Sequence, residues 1–298
     1  MASRSLRTFQ AASVANRALP LPVLAELANG LAARLGPRLM PGKAQQLARH
    51  IRRVAPHLPP QEVDAAVARG IGSYGRYWVE SFRLPNLSTT AIDRGFSVEG
   101  YNNIDDALSS GIGPILVLPH LGGWEWAAAW LARVMGERVT AVVEELEPAD
   151  VFEWFVELRE SYGIEVVPVG KQAMGRLVKA VKGRRIVCLL SDRDIAGSGI
   201  EVEFFGERTT LPAGPALLAR RTGAPLLPTA VYFRGSGHFA HVGSPIWAND
   251  GVKLREDLAR VTQDLATAME KLIAAAPDQW HLLEPNWPSD HSEHRPHH

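Results

Sequence analysis

Short apolar runs alternate with amphipathic helical stretches along most of this chain of 298 residues. The runs with the length and composition of buried strands cover residues 114–119, 138–143, 164–168, 185–191, 226–233 and 239–244. The helical patterns before, between and after them cover residues 104–110, 124–135, 149–162, 172–182, 212–222 and 251–275. Such alternation is typical of βαβ units, so we predict an α/β fold with a central, mostly parallel or mixed sheet flanked by helices.

The N-terminal part of the chain lacks this alternation and has helical patterns only. They cover residues 22–36, 42–54 and 61–83. Because no Pro/Gly/Ser-rich linker separates the two parts, we predict a single domain over residues 1–298. Its predicted divisions are a mainly helical part at 1–95, an α/β part at 96–287 and a polar, disordered tail at 288–298.

The helical part is basic, although the formal net charge of the whole chain is zero. Residues 1–60 carry one acid, Glu26. The basic residues there are Arg4, Arg7, Arg17, Arg34, Arg38, Lys43, Arg49, Arg52 and Arg53. On one predicted helical face lie Leu24, Leu27, Leu31 and Leu35. This pattern fits a helix lying on an anionic membrane surface, and it fits equally an amphipathic helix packed on the domain. No apolar run is long enough to predict a membrane span.

Several function classes are disfavoured by composition and motifs. The single cysteine, Cys188, lies in an apolar run, which predicts a buried thiol and excludes an internal disulfide. The stretch Gly70–Gly75 matches G-x-G-x-x-G but follows a helical pattern, so it lacks the context of a dinucleotide fingerprint. The chain is neutral and has no nucleic-acid or metal-site motif, so we expect neither DNA, RNA nor a metal as a partner.

The strongest candidate for a chemical group is His120, in the stretch Pro119-His120-Leu121-Gly122-Gly123-Trp124-Glu125. It lies where an apolar strand ends and a helix begins, which is a common place for active sites in α/β folds. A histidine held by a carboxylate is a general base, and Glu125, in the first helical turn, is expected to reach back to the ring. Amides at this helix N-terminus are candidates to stabilise an oxyanion. The alternative is a core histidine bonded to the backbone.

Acidic residues follow other predicted strands. Asp192 and Asp194 come after the strand at 185–191 and flank Arg193, while Glu144 follows the strand at 138–143. Since parallel strands end at one edge of a sheet, these groups are candidates for the site of His120. The alternative for the aspartates is a solvated loop with a helix cap. Spacing does not decide which acid contacts His120.

Blocks of sequence beyond the His-x4-Glu spacing carry a resemblance to a known family. They are Ser191-Asp192-Arg193-Asp194, Gly199–Gly206 and Pro212-Ala213-Gly214-Pro215. In this order they resemble the bacterial lipid A biosynthesis acyltransferases, with the actinobacterial phosphatidylinositol mannoside acyltransferases as the most similar branch. The resemblance extends from about Leu21 to Trp287. It implies a glycerolipid acyltransferase-like fold.

The resemblance also implies a reaction and a set of residues. The expected reaction moves a fatty acyl group from acyl-CoA, a co-substrate, to a glycolipid hydroxyl, with no cofactor, at the cytoplasmic face of the cell membrane. The implied catalytic residues are His120, Glu125, Asp192 and Asp194. The implied substrate-binding residues are Glu144, Arg159, Arg193 and Glu201. For Arg159, an ion pair with Glu157 or Glu160 on the surface is an equal alternative.

Three other functions remain compatible with the sequence. The same chemistry could act on a lipid A-type or another glycolipid acceptor. A non-catalytic lipid-binding protein would account for the basic helices but gives His120 and its acids no shared purpose. A glycoside-processing enzyme would use Glu125 and Asp192 as paired carboxylates, and it leaves His120 without a role.

Overall fold

A computed structural model describes residues 3–16, 19–145, 147–195 and 197–294 of the chain. Arg17 of the basic segment and residues 295–298 of the predicted tail lie outside this described part, as does the side chain of Arg4. The helices are α1 (Arg4–Ala15), α2 (Leu21–Leu39), α3 (Pro41–Val54), α4 (Pro60–Arg83), α5 (Thr89–Arg94), α6 (Asn102–Ser109), α7 (Trp124–Arg133), α8 (Ala149–Glu160), α9 (Ala173–Lys182), α10 (Gly214–Thr222) and α11 (Leu254–Ala274). The strands are β1 (Phe96–Glu99), β2 (Ile115–Leu118), β3 (Val139–Val143), β4 (Ile164–Pro168), β5 (Ile186–Leu190), β6 (Ile200–Phe204), β7 (Glu207–Leu211), β8 (Leu226–Arg234) and β9 (Gly237–Val242).

Seven strands form one sheet in the order β1-β9-β8-β2-β5-β3-β4. The five strands from β8 to β4 run parallel to one another. Strand β9 turns back antiparallel to β8, and β1 is parallel to β9. The predicted α/β fold with a mostly parallel central sheet is therefore confirmed. Strands β6 and β7 form a separate antiparallel hairpin.

Helices α2 and α4 pack unusually closely because glycines line their contact. A Cβ atom at Gly72 would lie 2.3 Å from Asn29 Oδ1, and one at Gly75 would lie 2.8 Å from the Cβ of Ala32. From the other side, a Cβ at Gly36 would lie 2.3 Å from Ile71 Cγ2. The Gly70–Gly75 stretch thus lies inside α4 and serves helix packing, since only glycine lets two backbones approach this closely.

The segment after α11 holds the helical part and the α/β part together. The ring of His50, on α3, has its centroid 5.3 Å from those of both Trp280 and Trp287. Burial lowers the pKa of His50 to about 4. Because a buried imidazole loses hydration in its charged form, this histidine remains neutral and packs as part of an aromatic cluster.

The predicted disordered tail is ordered over part of its length, which corrects that prediction. Residues Pro288–His294 form a short 3-10 helix. Asp290 is 5 % exposed and accepts hydrogen bonds from the backbone amides of Asn286 and Trp287 at 2.9 and 3.2 Å. Arg53 adds an ion pair to Asp290 at 3.5 Å. The tail was predicted to be disordered because its composition is polar. Nothing in the sequence indicates that Asp290 pairs with Arg53 on α3.

The basic segment is only partly a free surface. Arg53 pairs with Glu207 at 2.9 Å, and its guanidinium lies 4.0 Å from the ring centroid of Trp287. Arg49 donates to the backbone oxygen of Asp290 at 3.0 Å. These two arginines therefore anchor the segment after α11. Among the other predicted basic residues, Arg7, Arg34, Arg38 and Arg52 are exposed.

The apolar face predicted in the first helices is present on α2 with a small shift. Leu27, Leu31 and Leu35 are 49, 58 and 48 % exposed, and Val23 and Leu39 extend the row at 49 and 76 %. Leu24, predicted to share this face, is half-buried instead. Within the described ranges, the helices do not combine the length and apolar character that crossing a bilayer requires.

Candidate active site

Strand register brings two of the predicted groups to one point. Strands β2 and β5 are parallel neighbours in which Leu118 is paired with Leu190. His120 and Asp192 each follow two residues beyond this pair. The two side chains therefore leave the same edge of the sheet at the same height, where parallel strands of α/β folds commonly place their functional groups.

The imidazole of His120 is bound on one side and open on the other. Its Nδ1 lies 2.6 Å from Asp192 Oδ1, and its backbone amide donates to Oδ2 at 3.0 Å. No other described residue is hydrogen-bonded to Nε2, and the His120 side chain is 36 % exposed while that of Asp192 is fully buried. Because the carboxylate accepts the Nδ1 proton, the neutral ring presents the lone pair of Nε2 to solvent.

The segment after α11 completes the surroundings of Asp192. Trp280 donates its indole Nε1–H to Asp192 Oδ2 at 2.7 Å, and Asn286 donates to the Asp192 backbone oxygen at 2.9 Å. The carboxylate thus accepts three hydrogen bonds, from Trp280 and from the ring and amide of His120. Sequence reasoning missed Trp280 and Asn286 because they lie 88 and 94 residues from Asp192 and no local spacing links them.

The charges of the pair shift both pKa values. Burial by itself lowers the pKa of His120, but the charge of Asp192 and its hydrogen bond outweigh this, and the pKa is raised, with Arg193 lowering and Glu144 raising it to smaller extents. Burial by itself raises the pKa of Asp192, but the charge of His120 and hydrogen bonds from His120 and Trp280 hold it below its usual range. The aspartate therefore stays ionised beside the ring.

The two glycines after His120 allow the chain to turn against β8. Gly122 has φ +59°, and a Cβ there would lie 1.9 Å from the backbone oxygen of Val231. The amides of Gly122 and Gly123 donate to the oxygens of Gln279 and Val231 at 2.9 and 3.1 Å. Both amides are occupied, so these two do not provide the oxyanion site expected at this helix N-terminus.

Glu125 does not contact His120, which corrects the expectation that it holds the ring. Its carboxylate is 3 % exposed and accepts hydrogen bonds from Arg159 at 2.7 and 3.0 Å. The hydroxyls of Tyr162 and Tyr77 donate to it at 2.5 and 3.3 Å. Burial and the charge of Glu125 raise the pKa of both tyrosines, so both remain protonated donors. Glu125 joins α7 to α4 and α8.

Arg159 is a partner of Glu125 and is mostly buried. Its side chain is 13 % exposed, and its guanidinium lies 5.5 Å from the ring centroid of Trp124. The surface pairs with Glu157 or Glu160 are not made, nor does Arg159 present a free guanidinium to a phosphate. With Glu125 sealed in this network, a glycoside-processing site made of Glu125 and Asp192 lacks its second exposed carboxylate.

Asp194 and Glu201 lie apart from the His120 ring contact. The carboxylate of Asp194 accepts the amides of Gly197 and Gly199 at 3.1 and 2.7 Å and the hydroxyl of Thr210 at 2.9 Å. It closes the loop before β6 and ties it to β7. Glu201 is exposed on β6 and pairs with Arg208 at 3.2 Å. The structure thus gives Asp194 the alternative role of a loop residue.

Arg193 and Glu144 lie close enough for their charges to shift the pKa of His120. Glu144 is exposed, Arg193 is half-buried, and neither makes an ion pair with another described residue. His281 was missed from sequence: its amide donates to the His120 backbone oxygen at 2.7 Å, and its ring lies 2.8 Å from Ser73 Oγ. Burial, followed by the charge of His120, lowers the pKa of His281 to about 3, so it is a neutral neighbour.

Comparison with known proteins identifies the family of this chain. Residues 8–289 match the family described as bacterial lipid A biosynthesis acyltransferase, so the chain belongs to that family and is an acyltransferase. It is 39 % identical over 259 residues to the phosphatidylinositol mannoside acyltransferase of Mycobacterium tuberculosis (strain CDC 1551 / Oshkosh), covering 85 % of this chain and 80 % of the relative. It is 36 % identical over 282 residues to the protein of the same name from Mycolicibacterium smegmatis, covering 94 % and 90 %.

Proposed function

We propose that this protein transfers a fatty acyl group from acyl-CoA to a hydroxyl of a glycolipid, with His120 as the general base. The observation that carries the proposal is the paired ring: Nδ1 is held by Asp192 at 2.6 Å, and Nε2 is free at the edge of the sheet. A non-catalytic lipid-binding protein would gain nothing from a buried aspartate that orients a partly exposed imidazole.

The proposed reaction needs only the ring and its aspartate as acid–base groups. Nε2 takes the proton of the acceptor hydroxyl while the hydroxyl oxygen forms a bond to the thioester carbonyl carbon. The tetrahedral intermediate then expels the thiolate of CoA, which takes the proton back from the imidazolium. Asp192 stabilises the charged ring between these two steps. The thiolate is a good leaving group, so the ester forms without a covalent enzyme intermediate.

Two charged side chains beside His120 support binding of polar substrate groups. Arg193 has a guanidinium without an ion-pair partner in the described part of the chain, and arginine suits a phosphate or a developing oxyanion. Glu144 is exposed and suits the hydroxyls of a sugar. We infer that these two side chains bind the head groups of donor and acceptor.

An apolar cavity beneath the same turn supports a place for the acyl chain. It has a volume of about 30 Å³ and is lined by Leu118, Trp124 and Cys188, among others. Leu118 comes two residues before His120 and Trp124 four residues after it, so the cavity lies next to the turn that carries the ring, and we infer that the acyl chain enters there. A fatty acyl chain is much larger than the cavity, so the lining side chains have to move when it enters. Burial raises the pKa of Cys188 to about 12, so its thiol is not a nucleophile here.

We infer that the acceptor is a mannose hydroxyl of a phosphatidylinositol mannoside, because the relatives with this printed activity share 36–39 % identity over most of their length. The test uses radiolabelled palmitoyl-CoA, or palmitoyl acyl carrier protein, with a total polar lipid extract, a purified phosphatidylinositol mannoside and a lipid A-type precursor. We expect alkali-labile label from palmitoyl-CoA in the mannolipid. Label in the lipid A-type precursor alone would transfer the proposal to that acceptor, and no acceptor-dependent label would refute it.

The row Val23, Leu27, Leu31, Leu35 and Leu39, here named the α2 row, supports peripheral binding to a membrane. The side chains are 48–76 % exposed at intervals of four residues, and Arg34 and Arg38 lie on the same helix. We propose that α2 lies on an anionic leaflet at the cytoplasmic face of the membrane, with the row in the acyl region and the arginines at the head groups.

Replacing Leu27 and Leu31 together by serine is expected to weaken binding to anionic vesicles by at least about tenfold, since burying one leucine contributes about 1.5–3 kcal/mol when complete. Sedimentation with vesicles of phosphatidylglycerol and phosphatidylcholine measures the partition coefficient. Leu254→Ser, at a leucine of similar exposure (49 %) on α11, is the matched control. Equal loss of binding in both variants, or in neither, would contradict the role of α2.

A further inference from the structure

A second acid–histidine pair lies behind the catalytic turn. His238 Nε2, on β9, lies 2.7 Å from Glu80 Oε2, on α4, and the two side chains are 0 and 6 % exposed. The other oxygen of Glu80 accepts from Arg76 Nε at 2.7 Å. Moving a carboxylate out of water costs free energy, and its partners offset that cost only in part. A buried pair of this kind therefore calls for an explanation. The proposed reaction does not use it.

The ring of His238 fills the space directly behind the turn that carries His120. A Cβ atom at Gly123 would lie 2.4 Å from His238 Cδ2 and 2.7 Å from Nε2. On its other contact the ring stacks on Trp126, with centroids 4.3 Å apart and an interplanar angle of 23°. The turn therefore cannot move back from the sheet edge without displacing the ring.

The hydrogen-bond pattern shows how this ring is held. Nε2 donates to the Glu80 carboxylate, while Nδ1 is buried and has no hydrogen-bond partner in the described part of the chain. A proton on Nδ1 would be a buried donor without an acceptor, so Nε2 is the nitrogen that carries the proton donated to Glu80. The bond to Glu80 is thus the single hydrogen bond that holds the ring in the described part of the chain.

Helix α4 places two more bonds on the same side. Ser73, Tyr77 and Glu80 are spaced i, i+4 and i+7, so they share one helical face. Ser73 Oγ lies 2.8 Å from His281 Nε2, and Tyr77 donates to Glu125 at 3.3 Å. His281 in turn holds the backbone oxygen of His120, and Glu125 lies at the start of α7. One face of α4 is therefore linked to both ends of the turn and to its back through His281, Glu125 and His238.

We propose that the Glu80–His238 pair is a positioning pair for acyl transfer. It fixes the Gly122–Gly123 turn so that Nε2 of His120 stays aligned with the acceptor oxygen. The pair touches neither substrate nor the ring of His120. The inference rests on the proposed function, in which His120 is the general base.

The test compares His238→Phe with Glu80→Gln and with Leu265→Ala. Phenylalanine keeps an aromatic ring behind Gly123 but cannot bond to Glu80, so the ring is free to shift. A displacement near 1 Å can cost about 100-fold in rate, so we expect kcat to fall by about 10- to 100-fold with KM within about twofold. Glutamine at position 80 keeps an acceptor oxygen, and we expect its kcat to stay within about threefold of the parent.

Leu265→Ala, at a buried residue of α11, controls for lost stability, with assays run below every melting temperature. Equal kcat in His238→Phe and Leu265→Ala at similar melting temperatures would overturn the proposal. If His238→Phe does not fold, Glu80→Asp withdraws the carboxylate by one methylene and is expected to lower kcat about tenfold, and parent-like kcat there would overturn the proposal. An inactive His120→Asn variant beside a fully active His238→Phe would sink the positioning role alone, whereas an active His120→Asn would remove its basis.

Discussion

Replacing His120 by asparagine is expected to lower kcat for acyl transfer by about 10²- to 10⁴-fold, the usual contribution of a positioned general base. Asparagine has a similar length and can still donate to Asp192, so the buried carboxylate keeps a partner. The variant loses Nε2, the ring nitrogen of His120 that is open to an acceptor hydroxyl. Turnover of labelled palmitoyl-CoA with a mannolipid acceptor, together with a thermal melt, gives the two required measurements.

His241→Asn is the matched control for this variant. The His241 side chain is 37 % exposed, close to the 36 % of His120, and it also lies beside a carboxylate, 3.7 Å from Glu99. We expect parent-like turnover from it. A folded His120→Asn protein that transfers acyl groups at nearly the parent rate would refute the general-base mechanism.

Replacing Asp192 by asparagine is expected to lower the plateau of kcat by about 10²- to 10³-fold, by removing the charge that stabilises the imidazolium. The carboxylate accepts three hydrogen bonds, whereas the amide has one oxygen and an NH₂ group that would face the donors of His120 and Trp280. The ring would therefore lose its orientation as well as its counter-charge. A loss of stability at neutral pH is expected too, because the low pKa of Asp192 means that its pairing stabilises the fold above the usual carboxyl range.

The same variant is expected to shift the pH dependence in a defined direction. Only the neutral ring accepts a proton, so kcat/KM falls as pH falls through the pKa of His120. Burial lowers that pKa, and the charge and hydrogen bond of Asp192 raise it above the ordinary value. Without Asp192 the pKa falls, and the acidic limb moves to lower pH. A profile of kcat/KM from pH 5 to 9 measures the midpoint.

Asp257→Asn separates this effect from a general loss of stability. Asp257 is 1 % exposed, has a lowered pKa and accepts hydrogen bonds from Arg220, Arg260 and the amide of Asn249. Its removal should destabilise the protein while leaving the midpoint of the acidic limb unchanged. An acidic limb in Asp192→Asn that coincides with that of the parent would contradict the pairing described for His120.

The pattern of apolar runs was sufficient to predict the fold class and most strands of the sheet. Strand β1 was missed because four residues with alternating burial give a weak signal, and its parallel partner β9 lies more than 130 residues away. The hairpin of β6 and β7 was missed because neither strand is an apolar run: β6 carries two glutamates, and four of the five residues of β7 are charged or polar. Short strands of this kind are specified by their partners more than by their own sequence.

The site was predictable as far as strand ends determine it. His120 and Asp192 each lie two residues beyond the paired ends of two neighbouring parallel strands, β2 and β5, which is why their side chains meet. The partner of Glu125 was not predictable, because a carboxylate in a first helical turn can face either side of the helix, and the donors on α4 and α8 decide which. Asp194 follows Asp192 by two residues, yet the chain has already turned into a loop whose amides it accepts.

The hydrogen bond from Trp280 to Asp192 has a consequence for when the site is completed as the chain is made. Every strand of the sheet lies before residue 243, so a nascent chain can complete the sheet while Trp280 and Asn286 are still inside the ribosome. At that stage Asp192 has neither its indole donor nor the amide that holds its backbone oxygen, and the tryptophan cluster around His50 is unfilled. We therefore expect a newly made molecule to become competent only when Trp280 and Asn286 have left the ribosome, which is later than the formation of the sheet.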